Sequence, residues 1–504
     1  MSRLGKALLG LHAWGGLLFG WLLVPVFLAG SLAVFEPEIS HWMRPELSAP
    51  PFSRERAVVL AEARLRRVAA DAPVWRVRLP TGREPTIGIG WGSDPRKMRE
   101  ETLDAASGQP LAARQTRGGH FFTDFHAELL AGAVGKWVVG AAGIVMLAAL
   151  VSGVLVHHRI LRDFFAFRPW AARRRAWLDA HNLAGVATLP FLLMITWTGV
   201  VILAEAFMPA ATHYLYDGNA RAARAEVVKS FVRPPAGEAA AMRPLAEHLA
   251  AAERVLGEGT VSNLLVRHQG DRNALVQALR HVDDRLSAVA DHVTFDAVSG
   301  ALFGRQTEWN AVAYVYRAQV GLHVVHFGGP ALRWLYFVSG LLGTAMMAAG
   351  IVLFMRKRRQ RSAGTRGQRW LESVGVAAVA GGTIACLVYL WGGRLLGATL
   401  VAGAGGASWE IAGFFAAWAL SWLHALARPP ECAWRAQLAF AGGLALALPG
   451  LDLFAASQPL DALRLGVDLT AGVLGAALLA LAYHCFGTST TASTSGAMRQ
   501  GEAL

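Results

Sequence analysis

Long apolar runs constrain this chain more than any other feature of its sequence. About 20 predominantly apolar residues in a helix are enough to cross the hydrocarbon core of a bilayer. Eight runs of about this length occur, near residues 11–35, 133–157, 182–205, 333–355, 373–393, 407–427, 434–453 and 463–486. Apolar residues make up 54% of the 504 residues and charged residues only 16%, which excludes an ordinary soluble domain. The sequence therefore predicts a mainly α, polytopic membrane protein with about eight transmembrane helices.

The distribution of positive charge predicts the orientation of these helices. Residues 158–176 contain six arginines, and residues 356–369 contain seven basic side chains. Short basic loops beside spans mark the cytoplasmic side of a membrane. These thirteen charges equal the formal net charge of +13, so the charge is explained by topology and we predict no nucleic-acid partner. The N-terminus is then cytoplasmic, and the first span is an uncleaved anchor because its apolar stretch is longer than that of a signal peptide.

The first 356 residues consist of two units with the same plan. Residues 1–157 and residues 177–356 each contain a span, a polar insert (about 36–125 and 206–322) and a second span. Each insert has a D-x-x-S-G motif, in "LDAASGQPL" and "FDAVSGALF", which is typical of a hairpin turn with glycine at positive φ. We predict a parallel two-fold repeat with one small α+β module in each insert. The patterns that precede the motifs are helical at 54–70 and 243–256, and strand-like at 73–79, 86–92, 260–267 and 274–280.

The remaining segments are assigned by composition. Residues 158–176 form a basic cytoplasmic loop, 357–372 a basic cytoplasmic linker, 373–487 four additional spans, and 488–504 a disordered tail. The additional spans contain few ionisable side chains, chiefly Glu410, Asp452 and Asp468 near the span ends. Their sequence predicts no role.

Four histidines occupy equivalent positions in the two units. His12 and His181 open the first spans of the units and are expected on the cytoplasmic side, while His126 and His323 precede the second spans and are expected on the far side. Two facing histidines at each membrane surface are what bis-imidazole ligation of two haems requires. The absence of a C-x-x-C-H sequence excludes the usual covalent attachment of a haem at these positions.

The simpler interpretation is that each of these histidines is an interfacial residue at a helix end. Gly16 follows His12 by four residues and Gly185 follows His181 by four, which puts each glycine one turn along the same helix face. We predict that these glycines make room for the porphyrin ring. His326 and His157 are alternative ligands, since His326 lies one turn from His323 and His157 ends a span at a basic loop.

These motifs together resemble a known family. "LHAWGGLLFGWLL", "FHAELL", "LDAHNLAG" and "LHVVHFGGPALRWLYFVSGLLG", with D-x-x-S-G in each insert, are similar to the PepSY-associated transmembrane family, which includes iron-regulated inner-membrane proteins and FoxB-type ferric-siderophore reductases. The resemblance covers roughly residues 5–358 and implies PepSY-like inserts in the periplasm of a bacterial inner membrane. It also implies that His12 and His181 hold a cytoplasmic-side haem iron, and His126 and His323 a periplasmic-side one. The chain departs from the resemblance in "VLVHHR" at the end of the second span and in its four additional spans.

The expected function is that of a di-haem b electron-transfer protein, a haem-dependent ferric-siderophore reductase that releases iron for uptake. Its partners would be membrane lipid, a ferric siderophore or other ferric chelate, and a separate electron donor, either a cytoplasmic reductase or a quinol. Arg173, Arg174 and Arg175 could pair with haem propionates, and aromatic residues near the far-side histidines could contact the substrate. These aromatic residues, which are equally compatible with core or interfacial belt positions, are Phe121, Phe122, Trp309, Tyr314 and Tyr316.

Two other functions are compatible with the sequence. In the first, the inserts bind a peptide or protease and the membrane part is only an anchor, which predicts no haem. In the second, the eight spans transport the siderophore itself, although they lack the mid-membrane charged or broken-helix site usual in transporters.

Overall fold

Eight long apolar helices dominate the structure, as the sequence predicts. A computed structural model of the protein describes residues 3–156, 173–207, 210–362, 365–396, 409–455 and 458–486. Most of the predicted basic loop at 158–176 and the predicted tail at 488–504 lie outside these residues. Spans 1 to 8 comprise Arg3–Ala33, Gly132–Val156, Arg173–Ile202, Gly329–Ser362, Arg366–Leu395, Trp409–Ala427, Pro430–Ala455 and Ala462–Phe486.

Spans 1 to 4 form a bundle in which span 1 packs on spans 2 and 4, and span 3 packs on the same two helices. Its centre is apolar and contains Leu23, Met146, Leu192 and Met346. We call the end that carries the start of span 1 and the basic residues after span 4 the basic end. The opposite end, where both inserts emerge, is the sheet end. The parallel repeat of these helices stays a prediction.

The inserts and their flanking segments contain eight shorter helices and seven strands. The helices are α1 (Glu36–Trp42), α2 (Arg54–Val68), α3 (His120–Glu128), α4 (Ala204–Phe207), α5 (Ala210–Tyr216), α6 (Ala220–Val227), α7 (Leu245–Leu256) and α8 (Ala311–Val324). The strands are β1 (Val74–Arg78), β2 (Thr86–Asp94), β3 (Lys97–Asp104), β4 (Val261–Arg267), β5 (Leu275–Arg280), β6 (His292–Asp296) and β7 (Leu302–Gln306). The predicted amphipathic helices and the four predicted strands are confirmed within a few residues.

The strands of both inserts form one antiparallel sheet, which differs from the two separate modules expected. The strand order is β3-β2-β1-β4-β5-β6-β7, and β1 pairs with β4 in a register that puts Trp75 opposite Val266 and Val77 opposite Leu264. Helices α2 and α7 pack against this sheet around one shared core. Each insert alone would supply three or four strands and one covering helix, which bury little apolar area. Joining the strands of the two inserts gives a larger common core.

Both D-x-x-S-G motifs form the same tight turn after a strand. Asp104 Oδ1 accepts hydrogen bonds from the backbone N–H of Ser107 and from its hydroxyl, each at 2.8 Å. Asp296 makes the equivalent bonds to Ser299, at 2.7 and 2.9 Å. Burial alone would raise the pKa of Asp296, but these bonds and Arg233 lower it to about 2. The glycines that end the motifs have φ of 71° and 78°, as expected for this turn.

Spans 5 to 8 form a second group of helices that packs on span 1, α1 and α3. Span 5 contains a π-helical segment at Ala377–Gly381. At the sheet end, the fully buried carboxylate of Asp452 is paired with two buried arginines, Arg394 and Arg464. The Trp42 indole N–H donates to Asp468 Oδ1 at 2.8 Å, which ties α1 to span 8. The acidic residues of these spans therefore dock the helices to one another and to α1.

Candidate functional site

Two cavities lie within the four-helix bundle, one toward each end. The cavity at the basic end has a volume of 680 Å³ and is lined by His12 and His181. The cavity at the sheet end has a volume of 280 Å³ and is lined by His126 and His323. Ligand-binding pockets in proteins usually measure about 300–1,000 Å³, so the first is of ordinary size and the second is at the lower limit. Leu23 and Met146 line both cavities and form the wall between them.

The structure brings the four predicted histidines together as two facing pairs. The ring centroids of His12 and His181 are 6.2 Å apart, with an angle of 77° between the ring planes. Those of His126 and His323 are 5.9 Å apart, with an angle of 32°. The two pairs are well separated along span 1. His12 belongs to one pair, and the Val26 carbonyl contacts His126 of the other; these two residues of span 1 are about 21 Å apart along the helix axis.

Each of the four rings uses its Nδ1 in a hydrogen bond to a neighbouring helix. The Nδ1–H groups of His12, His126 and His181 donate to the carbonyl oxygens of Ala149, Val26 and Met346, at 2.9, 2.8 and 2.7 Å. His323 Nδ1 lies 3.1 Å from Thr198 Oγ1, whose own proton is donated to span 3 carbonyls, so the ring is again the donor. A protonated Nδ1 leaves Nε2 as the free lone pair of a neutral imidazole.

Burial keeps the sheet-end pair neutral. It lowers the pKa of His126, and it lowers the pKa of His323 together with the adjacent His126 ring. A neutral imidazole is the form that ligates metals, and an Nδ1–H held by a carbonyl fixes its orientation. Each pair can therefore offer two aligned nitrogen ligands to a metal between the rings.

A glycine on the helix that accepts each hydrogen bond lies against each ring. A β-carbon added to Gly30 would lie 2.6 Å from His126, and one added to Gly199 would lie 2.8 Å from His323. The corresponding distances are 3.1 Å for Gly153 with His12 and 3.2 Å for Gly350 with His181. These glycines let the rings reach the backbone, and none of them is among the residues predicted from the sequence. A signal was present: Gly30 and Gly199 each follow the first histidine of their unit by 18 residues, and Gly153 and Gly350 each follow the second by 27.

The glycines that were predicted occupy different surroundings. Gly16 lines the basic-end cavity, and a β-carbon there would have no atom within 4 Å. Gly185 is not among the residues that line this cavity, and it faces the side chain of Met346 at 3.5 Å. Its predicted contact with a bound ring therefore has no support in this arrangement.

Of the two alternative ligands, only His326 lies within the described residues, and it is separate from the facing rings. His326 lines the sheet-end cavity, but its ring is about half exposed and its Nδ1 lies 3.4 Å from an Asp283 carboxylate oxygen. His323, and not His326, faces His126. His157 lies outside the described residues. Among the residues that the structure describes, no group of three or more histidine, cysteine, aspartate or glutamate side chains could hold a bare metal ion.

Charged residues at the cavities differ in sign. Lys6, Arg174, Lys357 and Arg358 line the basic-end cavity, and within the described part of the chain no acidic residue does. Of the arginines predicted to pair with propionates, Arg174 is thus at the cavity, while Arg175 pairs with Asp179 at 2.9 Å. The side chain of Arg173 lies outside the described part of the chain. Glu36 lines the sheet-end cavity, and it is the only acidic residue to do so among the described residues.

Some of the aromatic residues expected to contact a substrate are core residues. Phe121 and Phe122 are fully buried in an apolar cluster with residues of spans 5 and 6. They therefore belong to the core, which is one of the alternatives that the sequence left open for them. Trp309 donates its indole N–H to Asp291 at 2.8 Å, and Tyr314 and Tyr316 are exposed on α8.

Comparison with known proteins identifies the family. An uncharacterised protein of Pseudomonas aeruginosa is 29% identical over 381 residues, which cover 71% of this chain and 92% of that protein. The PepSY-associated TM region matches residues 9–357, which run from span 1 into the last part of span 4 and include all four paired histidines. Since this match covers more than half of the sequence, the chain belongs to the PepSY-associated TM region family.

Proposed function

We propose that this protein transfers electrons across the bacterial inner membrane through two haem b groups and reduces ferric iron, bound as a ferric siderophore or similar chelate, on the periplasmic side. The observation that carries the proposal is the pair of facing imidazoles at each end of the bundle, with every Nδ1 held by a neighbouring helix. The basic end would face the cytoplasm because short basic loops mark that side.

The residues present fit a haem iron that would be held by one pair of imidazoles. Two imidazoles that bind one metal place their ring centroids roughly 6 Å apart. Each metal–nitrogen bond is about 2 Å long, and each nitrogen lies about 1 Å from the centroid of its own ring. The observed separations are 6.2 and 5.9 Å. His12 with His181 would hold one iron, and His126 with His323 the other. The hydrogen bond that each ring donates through Nδ1, to a carbonyl or in His323 to the Thr198 hydroxyl, orients the ring and makes its Nε2 a better ligand.

Other side chains support the same assignment. Lys6, Arg174 and Lys357 at the basic-end cavity are placed to pair with carboxylates of a bound porphyrin. Leu23 and Met146 keep the path between the cavities apolar. When bound, the two haems would supply one-electron transfer. Fe(II) binds hard oxygen ligands less tightly than Fe(III), so reduction of the chelate at the sheet end favours release of the iron.

The proposal requires partners at both surfaces. A separate donor, either a cytoplasmic reductase or a membrane quinol, must reach the basic end. The ferric chelate must reach the sheet end, where His326, Glu36 and Thr123 line the cavity beside His126 and His323. Membrane lipid surrounds the spans, and no nucleic acid is involved.

The test is a reduced-minus-oxidised absorption spectrum of the detergent-purified full chain, with haem quantified per chain. We expect two b-type haems in the wild type and about one after His12→Ala, His126→Ala, His181→Ala or His323→Ala. The two signals should also differ in electron paramagnetic resonance, because the ring planes are at 77° in one pair and 32° in the other. Trapping of Fe(II) from a ferric siderophore added to the pre-reduced protein then tests the substrate.

The control is His424→Ala. His424 is on span 6, is hydrogen-bonded to Gln437 and lines neither cavity, so its removal should leave both haems in place. A colourless wild-type protein from haem-replete cells would refute electron transfer. A protein that contains haem but does not reduce ferric chelates would refute the substrate alone.

A further inference from the structure

Helix α3 faces the sheet-end cavity on one side and packs a set of aromatic rings against a different part of the molecule on another. Thr123, His126 and Ala127 line the cavity. Phe121, Phe122 and Phe125 do not line it and are between 0% and 4% exposed. The orientation of His126 therefore depends on how the aromatic face of this short helix is packed.

Spans 5 and 6 provide the surface on which that face packs. The Phe121 ring stacks on Tyr389 with a centroid distance of 4.0 Å and an angle of 16° between the planes. Phe414 contacts both Phe121 and Phe125, at 5.0 and 5.4 Å. Close aromatic pairs of this kind favour defined geometries and add to the energy of burial. Helix α3 is thus clamped between span 1, which bears the carbonyl acceptor for His126, and spans 5 and 6.

Hydrogen bonds from the same spans hold the backbone that leads into α3. The Tyr389 hydroxyl donates to the carbonyl oxygen of Gly118 at 2.8 Å. The Glu410 carboxylate accepts from Thr116 Oγ1 at 2.7 Å and from the backbone N–H of Arg117 at 3.0 Å. Because α3 begins at His120, two residues after Gly118, its start is fixed relative to spans 5 and 6.

The other three histidines of the pairs do not depend on these contacts. His12 and His181 are on spans 1 and 3, and His323 is on α8, which packs on span 3. Among the described residues, no side chain of spans 5 to 8 lines either cavity. Spans 5 to 8 also pack on the long spans 1 and 4, but only at the sheet end do they hold a short helix that itself bears a paired histidine, so their influence on the two pairs is unequal.

We propose that Tyr389 and Phe414 are positioning residues for His126, and that the C-terminal four helices act as a rigid wall that sets the geometry of the sheet-end pair but not of the basic-end pair. The part of this inference that concerns haem rests on the proposed function. The part that concerns the placement of α3 does not.

The experiment compares Phe414→Ala with Phe415→Ala in the full-length protein. Phe415 is the adjacent residue of the same type on span 6, but it is 43% exposed and is not among the rings that touch α3. Removing the buried ring leaves a cavity beneath Phe121 and Phe125, whereas removing the exposed ring leaves none. Tyr389→Phe is a milder variant that keeps the stacked ring and removes only the hydroxyl group.

Two readouts are measured on each variant. Hydrogen exchange of the amides of residues 120–128 should be at least about tenfold faster in Phe414→Ala than in the wild type or in Phe415→Ala. The resonance signal that disappears in His126→Ala should be shifted or lost in Phe414→Ala, while the signal that disappears in His12→Ala is unchanged. Tyr389→Phe should alter the same two quantities in the same direction, but less.

The outcomes separate this inference from the proposed function. If the wild type contains no haem, electron transfer is refuted, and the exchange rates alone decide whether spans 5 and 6 fix α3. If Phe414→Ala behaves like Phe415→Ala in exchange, or shifts both haem signals equally, the positioning role is wrong. Should Phe414→Ala fail to accumulate, Phe414→Leu removes the aromatic contacts while keeping most of the volume, and it should show the same selective change.

Discussion

At the scale of single residues, each paired histidine depends on a glycine and a hydrogen-bond acceptor on the same facing helix, and for three of the four the acceptor is a backbone carbonyl. Ala149 and Gly153 serve His12, and Met346 and Gly350 serve His181. In each of these helices the glycine follows the acceptor residue by four positions, so it lies one turn further along the same face. A side chain there would hold the ring away from the carbonyl, and the ring could no longer direct its Nε2 toward its partner.

Replacing these glycines with alanine is expected to weaken haem binding at each pair, and to weaken it more where the added β-carbon would lie closer to the histidine ring. Gly30→Ala and Gly199→Ala should reduce binding at the sheet-end pair by about tenfold or more, because a β-carbon would lie 2.6 and 2.8 Å from the ring. Gly153→Ala and Gly350→Ala should have smaller effects on the basic-end pair, since their distances are 3.1 and 3.2 Å. Haem titration of the apoprotein measures the loss.

A matched control is available on span 8. A β-carbon at Gly472 has no atom within 4 Å, and Gly472→Ala should leave both affinities unchanged while slightly favouring the helix. If Gly30→Ala binds haem as well as Gly472→Ala does, the steric account of the site is incorrect.

At the scale of secondary structure, the sequence predicts elements better than it predicts their partners. Hydrophobic periodicity identifies β1, β2, β4 and β5 because each strand shows either alternating apolar and polar residues or a short apolar run, and both patterns can be read within the strand itself. The pairing of β1 with β4 joins residues nearly 190 positions apart, and nothing in either strand specifies the other. The glycines beside the histidines were missed for a similar reason, since their role depends on a contact between helices.

A disulfide bond across the β1–β4 border tests whether the inserts share one sheet. Arg78 and Asn263 are opposite each other, and the next pair, Leu79 with Ser262, has a backbone hydrogen bond of 2.9 Å. Arg78 and Asn263 are therefore a non-hydrogen-bonded pair, whose α-carbons are close enough for a disulfide. Arg78→Cys with Asn263→Cys, in a chain whose native cysteines are replaced by serine, should oxidise to near completion.

The control shifts the register by one residue. Leu264 is on the opposite face of β4 and is fully buried in the core under the sheet, so Arg78→Cys with Leu264→Cys should not cross-link. Peptide mapping by mass spectrometry identifies the linked strands. Equal cross-linking of the two pairs, or none in either, would mean that the inserts do not pair as described.

At the scale of the whole molecule, spans 5 to 8 are joined to the rest of the chain by buried polar groups as well as by apolar packing. The sequence shows Asp452, Asp468 and Glu410 at span ends but cannot show what they touch. In the structure Asp452 is enclosed with Arg394 and Arg464, and Arg394 also donates to the carbonyl oxygen of Trp42 on α1. A buried charge of this kind is tolerated only with its partners in place.

Asp452→Asn should therefore be strongly destabilising. It leaves two buried guanidinium groups without their carboxylate, and the expected loss is about 3 to 5 kcal/mol in the free energy of unfolding. Equilibrium unfolding in mixed micelles with increasing denaturing detergent measures the change. Asp71→Asn is the control, because Asp71 is exposed on the insert and should change stability by less than about 0.5 kcal/mol. A loss of similar size in both variants would show that the buried cluster contributes no more to the free energy of unfolding than an exposed carboxylate does.

The shared wall of Leu23 and Met146 has a consequence for energy conversion. These side chains offer no group that can carry a proton or an ion between the cavities. On the electron-transfer proposal, each electron that crosses from the cytoplasmic to the periplasmic side moves one uncompensated negative charge outward. In a membrane that is negative inside, this movement releases about 2.3 kcal/mol per 100 mV of potential. Iron reduction by this protein would then draw on the membrane voltage as well as on its donor, and it should slow in respiring vesicles whose potential is collapsed by an ionophore.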